Sequence, residues 1–358
     1  MLLAAGGTGG HLFPAEALAA ALAARGVAVE LATDARAVGY GGKFPARATH
    51  VIPSATPRGP FGYATAGAVI ALGVAKAYRL LGHLRPAAVV GFGGYHSIPA
   101  VLAAGLRRIP SVIHEQNGVM GRANRLLAPR VTVIATSFAG VVEAEPALAA
   151  KATRTGNPLR PAVLAAIAPY TPPEPGGPLR LLAFGGSQGA RIMADVVPPA
   201  VERLDAAVRA RLSVVQQARP EDLERVRATY ARLGVAAEVA PFFQDLPARI
   251  AAAHMVVSRS GASTVAELAA LGRPAVLVPL PHALDQDQLA NAKVLEAAGG
   301  AILLRQDAFT PERLARKIAA LAADPARFAA MASAARSTGA PDAADRLADL
   351  VMKVAKLS

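Results

Sequence analysis

Short apolar runs alternate along this chain with longer Ala- and Leu-rich stretches, a rhythm that predicts βαβ units wound into mostly parallel sheets. The strand candidates of the first half are residues 2–5, 27–32, 88–91, 111–115 and 131–136, and those of the second half are 180–184, 212–217, 238–240, 255–258 and 275–279. Each half opens with an apolar strand that runs into glycines and then a helix. These openings are Leu2-Leu3-Ala4-Ala5-Gly6-Gly7-Thr8-Gly9-Gly10-His11 and Leu181-Leu182-Ala183-Phe184-Gly185-Gly186-Ser187-Gln188-Gly189. Two Rossmann-like α/β domains in tandem are expected, residues 1–160 and 161–339, with the site in the cleft between them at the carboxyl ends of their strands. The prolines of residues 168–178 forbid regular structure, and this stretch reads as the linker. A helical pattern over 342–356 is expected to cross back onto the first domain. The longest apolar run, 64–81, contains Gly67, Gly73, Lys76 and Arg79 and reads as too short and too charged to span a bilayer. The first residues, Met1 to Ala5, lack a basic flank and read as a strand rather than a signal peptide.

Composition sharpens this picture. A length of 358 residues exceeds what one core usually supports, and an apolar fraction of 53% with only 4% aromatics suits small-residue helices packed on parallel strands. There is no cysteine, so disulfide, zinc-thiolate and thiol redox chemistry drop out. The net charge of +13 fits nucleic acid, an anionic membrane or a phosphorylated substrate. Its distribution says more: residues 35–114 hold no Asp or Glu but do hold Arg36, Lys43, Arg47, Arg58, Lys76, Arg79, Arg85, Arg107 and Arg108. Such a face is either simply solvated or turned toward anions or a membrane.

Three glycine-rich loops follow strands, at Gly6 to His11, Gly91 to Ser97 and Gly185 to Gly189, and such loops let backbone N–H groups approach phosphate oxygens. None is a Walker A loop, and the first lacks the Gly-x-Gly-x-x-Gly dinucleotide fingerprint, which disfavours ATP hydrolysis and NAD binding. Thr264-x-x-Glu267, after the strand 255–258, fits a capping box. It fits equally a carboxylate placed to accept from ribose hydroxyls. The polar loop from Pro281 to Asn291 offers amide partners for sugar hydroxyls.

In order along the chain, Gly6 to His11, Gly93-Gly94-Tyr95, His114-Glu115-Gln116-Asn117, Gly156 to Arg160, Gly185 to Arg191, Ser260-Gly261-Ala262 with Thr264, Val265 and Glu267, and Asp285, Gln288 and Asn291 resemble one family. It is the undecaprenyldiphospho-muramoylpentapeptide N-acetylglucosaminyltransferases, the MurG family. The resemblance covers nearly the whole chain. It implies a GT-B architecture, UDP-GlcNAc as donor and lipid I as acceptor, with inversion to a β-1,4 product, lipid II. It further implies donor contacts from Asn117, Arg160, Ser187, Glu267 and Gln288, from Ala262, Ser263, Thr264 and Val265, and from the backbone at Phe243. Thr8, Gly9 and Gly10 are placed near the donor sugar or the acceptor, and Gly93, Gly94 and Tyr95 near the acceptor diphosphate. His11 is the candidate base, because histidine ordinarily titrates near neutrality and this one lies in a glycine turn.

No cofactor and no obligatory metal are expected. The resemblance implies a peripheral enzyme on the cytoplasmic face of the bacterial membrane, with other cell-wall synthesis proteins as partners. In the acid-free stretch, Pro60, Phe61, Tyr63, Val69, Ile70, Leu80 and Leu81 are interleaved with Arg58, Lys76, Arg79 and Arg85, a surface expected to dock on anionic lipids through Lys76, Arg79 and Arg85. The rival readings are another UDP-sugar lipid glycosyltransferase, a UDP-GlcNAc 2-epimerase, and a nucleic-acid-binding protein. The last rests on charge alone and lacks a binding motif.

Overall fold

A computed structural model describes residues 1–6, 9–34, 44–57, 62–186 and 188–357. The chain divides into two compact units, Met1–Arg160 with Ala340–Ser358, and Pro161–Gly339.

The first unit carries seven parallel strands, β1 (Leu2–Ala4), β2 (Glu30–Thr33), β3 (Thr49–Val51), β4 (Val89–Gly91), β5 (Ser111–Glu115), β6 (Val133–Thr136) and β7 (Ala152–Arg154). Their order is β3-β2-β1-β4-β5-β6-β7. Leu2 and Leu3 of β1 and Val89 and Val90 of β4 are fully buried because helices cover both faces, as a parallel sheet requires. On one face the helices Gly62–Leu84 and Ile98–Leu106 bury Ala77, Leu81, Ile98 and Val101. On the other, the helix Gly9–Ala24 packs with the C-terminal helix Ala343–Val354, which contributes Leu347, Ala348 and Val351.

The second unit holds β8 (Leu179–Phe184), β9 (Leu212–Gln217), β10 (Ala236–Ala240), β11 (Met255–Ser258), β12 (Ala275–Leu277) and β13 (Ala301–Leu303), in the order β10-β9-β8-β11-β12-β13. In both sheets the order reverses beside the first strand of the unit, between β1 and β4 and between β8 and β11. Such a reversal opens a crevice at the carboxyl ends where ligands bind.

Four expectations need correction. The chain passes between units at residues 160 and 161, whereas the proline-rich stretch 168–178 belongs to the second unit. Prolines there deny hydrogen-bonded ladders without preventing packing: Tyr170 donates to the His254 carbonyl (3.0 Å), lies under the Arg273 guanidinium, and rests on the core. The first helix begins at Gly9 and takes Pro14 inside it, so His11 lies in its first turn. The run 64–81 belongs to one helix of 23 residues, Gly62–Leu84, which by length and composition alone is long enough to cross a bilayer, since Gly67, Gly73 and Gly82 do not break it. Gly73 is required there by close packing, because a Cβ would stand 2.1 Å from the Pro53 carbonyl oxygen. Finally, Thr264 and Glu267 form no capping box: the helix Ala262–Leu271 starts after Gly261 and has no side-chain cap, so Thr264 is already in its first turn.

Candidate active site

In the first unit the switch-point crevice gathers the first turn of the helix Gly9–Ala24 and the loops that follow β4 and β5. Gly93 (φ 77°) and Gly94 (φ 69°) turn the backbone through the left-handed region, and a Cβ on Gly94 would collide with the His96 ring at 2.3 Å. The turn brings the Phe92 carbonyl to His11, whose Nδ1 lies 2.8 Å away. A carbonyl only accepts, so in neutral His11 Nδ1 carries the hydrogen and Nε2 keeps the lone pair. The His11 ring meets His96 edge-on, with centroids 5.2 Å apart.

The same carbonyl accepts from Gln116 Nε2 (2.9 Å), which also faces His114 Nδ1 (3.2 Å). His114 Nε2 donates to the Gly156 carbonyl (3.0 Å), so its Nδ1 is the acceptor. Burial holds the pKa of His114 down to about 4, partly opposed by the Gly156 bond, and the ring is neutral at ordinary pH. Glu115, 1% exposed, ends β5 and accepts from the backbone of Asn117 (2.9 Å) and Gly121 (3.0 Å) and from the amides of Asn117 (3.1 Å) and Asn124 (2.8 Å). Four donors shape the loop 116–121 around one carboxylate. Arg160 stacks 4.2 Å over the Phe13 ring, on the helix that carries His11. Nearby Glu16 is raised above the usual carboxylate range by desolvation, with Arg160 opposing.

In the second unit the crevice between β8 and β11 is built by glycines and amides. Gly185 admits no side chain, since a Cβ would lie 2.1 Å from the Ala190 nitrogen. Its N–H donates to Gln217 Oε1 (2.9 Å), and Gln217 Nε2 donates to the Pro241 carbonyl (3.1 Å), so the end of β9 ties the glycine loop to the segment after β10. Phe243 is buried beneath the Arg249 guanidinium, which stands 4.3 Å from the ring centroid. After β11, the half-buried Ala262, Ser263 and Thr264 form a helical first turn with free N–H groups. Val265 points into the core, and Glu267 is 6% exposed one turn further on. Ser260 Oγ donates to the Gln288 carbonyl (2.8 Å) and Asn291 Nδ2 to the Ser260 carbonyl (3.1 Å), pinning the helix Asp287–Ala298 here. Gln288 Oε1 accepts from the Leu280 N–H (3.1 Å).

Of the residues singled out by sequence, His11, Gly9, Gly10, Gly93, Gly94, Asn117 and Arg160 belong to the first unit, whereas Phe243, Ala262 to Val265, Glu267 and Gln288 belong to the second. Tyr95 is half-buried against the core. Thr8 and Ser187 lie outside the described residues, as do Arg36, Lys43 and Arg58 of the basic stretch. Sequence reasoning gave no role to Gln116, Asn124, Gln217 or Arg259. Gln217 was detectable as an amide closing an apolar strand, and Arg259 as a cation following one; the latter donates to the Val278 and Pro279 carbonyls (3.1 Å each) and to Gln306 Oε1 (2.6 Å). Among the described residues, no group of three or more His, Asp or Glu could hold a metal ion.

The glycosyltransferase family 28 N-terminal domain matches residues 1–136 and the family 28 C-terminal domain residues 180–347. A protein of Rhodopseudomonas palustris (strain HaA2), named UDP-N-acetylglucosamine--N-acetylmuramyl-(pentapeptide) pyrophosphoryl-undecaprenol N-acetylglucosamine transferase, is 61% identical over 360 residues, covering 100% of this chain and 98% of its own length. The chain belongs to that transferase family. A crystal structure of MurG from Acinetobacter baumannii superposes with a TM-score of 0.80 at 31% identity, covering 98% of each chain. The MurG family fold, two parallel α/β units of GT-B type, is thereby shared across the full length. UDP-GlcNAc 2-epimerase from Neisseria meningitidis, bound to UDP-GlcNAc, reaches a TM-score of 0.69 at 14% identity, covering 98% of this chain and 99% of its own, a likeness of fold alone.

Proposed function

We propose that this chain transfers N-acetylglucosamine from UDP-GlcNAc to the muramoyl 4-hydroxyl of the undecaprenyl-diphospho-linked muramoyl-pentapeptide lipid I, forming lipid II by a single inverting displacement. The observation that carries the reading is the 61% identity over the whole chain to a transferase of that name. The acceptor hydroxyl is a poor nucleophile until its proton is taken, and His11 Nε2, freed by the bond from Nδ1 to the Phe92 carbonyl, is the base. Gly93 and Gly94 supply backbone N–H groups to the acceptor diphosphate. The departing UDP gains negative charge, which the N-terminus of the helix Ala262–Leu271 stabilises, while Glu267 accepts from the ribose and Gln288 from the sugar.

The acceptor's lipid tail stays in a bilayer, so the enzyme docks on the cytoplasmic leaflet. The helix Gly62–Leu84 suits that role. Tyr63, Leu72 and Tyr78 are exposed on it, Leu106 is exposed on the helix packed against it, and the exposed Lys76, Arg79 and Arg85 lie on or just after it. The apolar residues that sequence reasoning had assigned to this surface divide differently: Leu81 is buried and Ile70 and Leu80 lean on the core, whereas Pro60 and Phe61 lie outside the described residues. Ala66, Gly73, Ala77 and Leu81 hold the other face of the helix to the first unit, as expected of a surface helix. The test of the reaction is incubation with labelled UDP-GlcNAc and a lipid I analogue. A β-1,4-linked disaccharide product is expected, and turnover of UDP-GlcNAc without acceptor product would transfer the assignment to an epimerase.

A further inference from the structure

Several arginines on the surface of the second unit are held in ion pairs. Arg225 reaches Asp195 and Asp222, Arg203 reaches Glu312, Arg227 reaches Glu224, Arg232 reaches Glu202, and Arg249 reaches Glu238 and Asp245. Four further cations gather around one hollow of about 400 Å³. The hollow adjoins the edge strand β13, with Ile302 and Leu304 in its lining. Arg313, Arg316 and Lys317 line it from the helix Pro311–Ala322, and Arg327 from the helix Pro325–Ser337.

Arg313, Arg316 and Lys317 are spaced three and four apart, so they share one helix face, where like charges repel. None of the four side chains has an ion pair or hydrogen bond among the described residues. The acids closest in sequence are engaged elsewhere. Glu312 pairs with Arg203 (2.7 Å), Asp324 accepts from the backbone N–H of Arg327 (3.0 Å), and Asp307 accepts from that of Ala308 (2.9 Å). A merely solvated basic face needs neither concavity nor apolar lining. Cations gathered round a concave, partly apolar wall focus their field on whatever enters, and guanidinium groups match phosphate oxygens two at a time.

We propose that this hollow binds a phosphate-bearing anion, either a free diphosphate-type solute or the headgroup of an anionic phospholipid, at a site distinct from the donor loops after β8 and β11. The site's occupancy does not depend on the reaction assigned above. Inorganic pyrophosphate is titrated calorimetrically into the protein saturated with UDP, which occupies the donor loops. In a second arm the protein is sedimented with phosphatidylcholine vesicles with and without phosphatidylglycerol. Both arms compare the wild type with an Arg316→Gln/Lys317→Gln variant, whose thermal midpoint and GlcNAc transfer in detergent are expected to be unchanged. Binding about tenfold weaker in the variant is expected in one arm. A difference with pyrophosphate identifies a soluble ligand, and one confined to phosphatidylglycerol vesicles identifies a headgroup. Equal behaviour of the two proteins in both arms, or no binding by the wild type in either, overturns the proposal.

Discussion

Acidification should weaken the first unit through His114. This ring is fully buried, donates from Nε2 to Gly156 and accepts at Nδ1 from Gln116, and its pKa lies at about 4 rather than 6.5. In the unfolded chain the ring takes a proton near 6.5, whereas the folded protein refuses it until about 4. Between those values the unfolded state binds more protons, so stability is full above 6.5, falls as pH falls and levels off below about 4. At about 1.36 kcal/mol per unit, the loss is about 2 kcal/mol by roughly pH 5 and about 3 kcal/mol when complete, against a typical total of about 5–15 kcal/mol. Protonation would also deny Gln116 its acceptor and so loosen the amide that shares the Phe92 carbonyl with His11.

Two assays check this. The Cε1–H resonance of His114 in labelled protein should not titrate above roughly pH 5, and urea unfolding at roughly pH 7.5 and 5 should show a smaller acid loss in His114→Gln than in wild type, by about 2 kcal/mol. His254, also lowered to about 4 by burial, contributes loss of the same sign to both proteins and cancels from the comparison. A His114 midpoint near 6.5, or equal acid losses, would refute the reasoning.

Glu267→Ala should raise the donor KM by roughly ten- to a hundredfold, the loss of charge-assisted bonds worth about 1.5–3 kcal/mol, with acceptor KM little changed. An unchanged donor KM with a lowered thermal midpoint would make the carboxylate purely structural. His11→Ala should lower kcat by roughly a hundredfold or more at nearly constant donor KM, and a near-normal kcat would remove it as the base. Replacing Lys76, Arg79 and Arg85 together by Glu should abolish low-salt sedimentation with phosphatidylglycerol vesicles, since each cation near an anionic surface contributes about 1 kcal/mol. Equal sedimentation of the two proteins would move the docking surface elsewhere.

The strands built mostly from buried residues were legible in the sequence, and β5, β9 and β11 begin and end where the expected strands do. β3, β7 and β13 escaped because each has three residues and little of the burial that writes an apolar run: Thr49 and Val51 are exposed, as are Thr153 and Arg154. Pairing with an already ordered neighbour, not local preference, makes these edge strands. The glycine loops were legible because close backbone approach excludes every other residue, as at Gly94 and Gly185. Local pattern failed where two structures share a signature: Thr264-x-x-Glu267 describes a helix start equally well as a first and second turn. The amides of Gln116 and Asn124 acquire meaning only when β4 and β5 lie side by side.

The return of the C-terminal helix to the first sheet gives the two units different fates during synthesis. Residues 161–339 are continuous, so the second unit can close its core once they have left the ribosome. The first unit, begun earlier, must wait with the groove for Leu347, Ala348 and Val351 still open beside the helix Gly9–Ala24 until the helix Ala343–Val354 has been made. Gly156, at φ 86° with a Cβ position 2.6 Å from the Ala340 methyl, lies where that late segment closes, and its carbonyl is the one that His114 holds. A nascent chain stalled between residues 339 and 343 would therefore carry a finished second unit and an unsealed first one, and that apolar groove is what a chaperone would find.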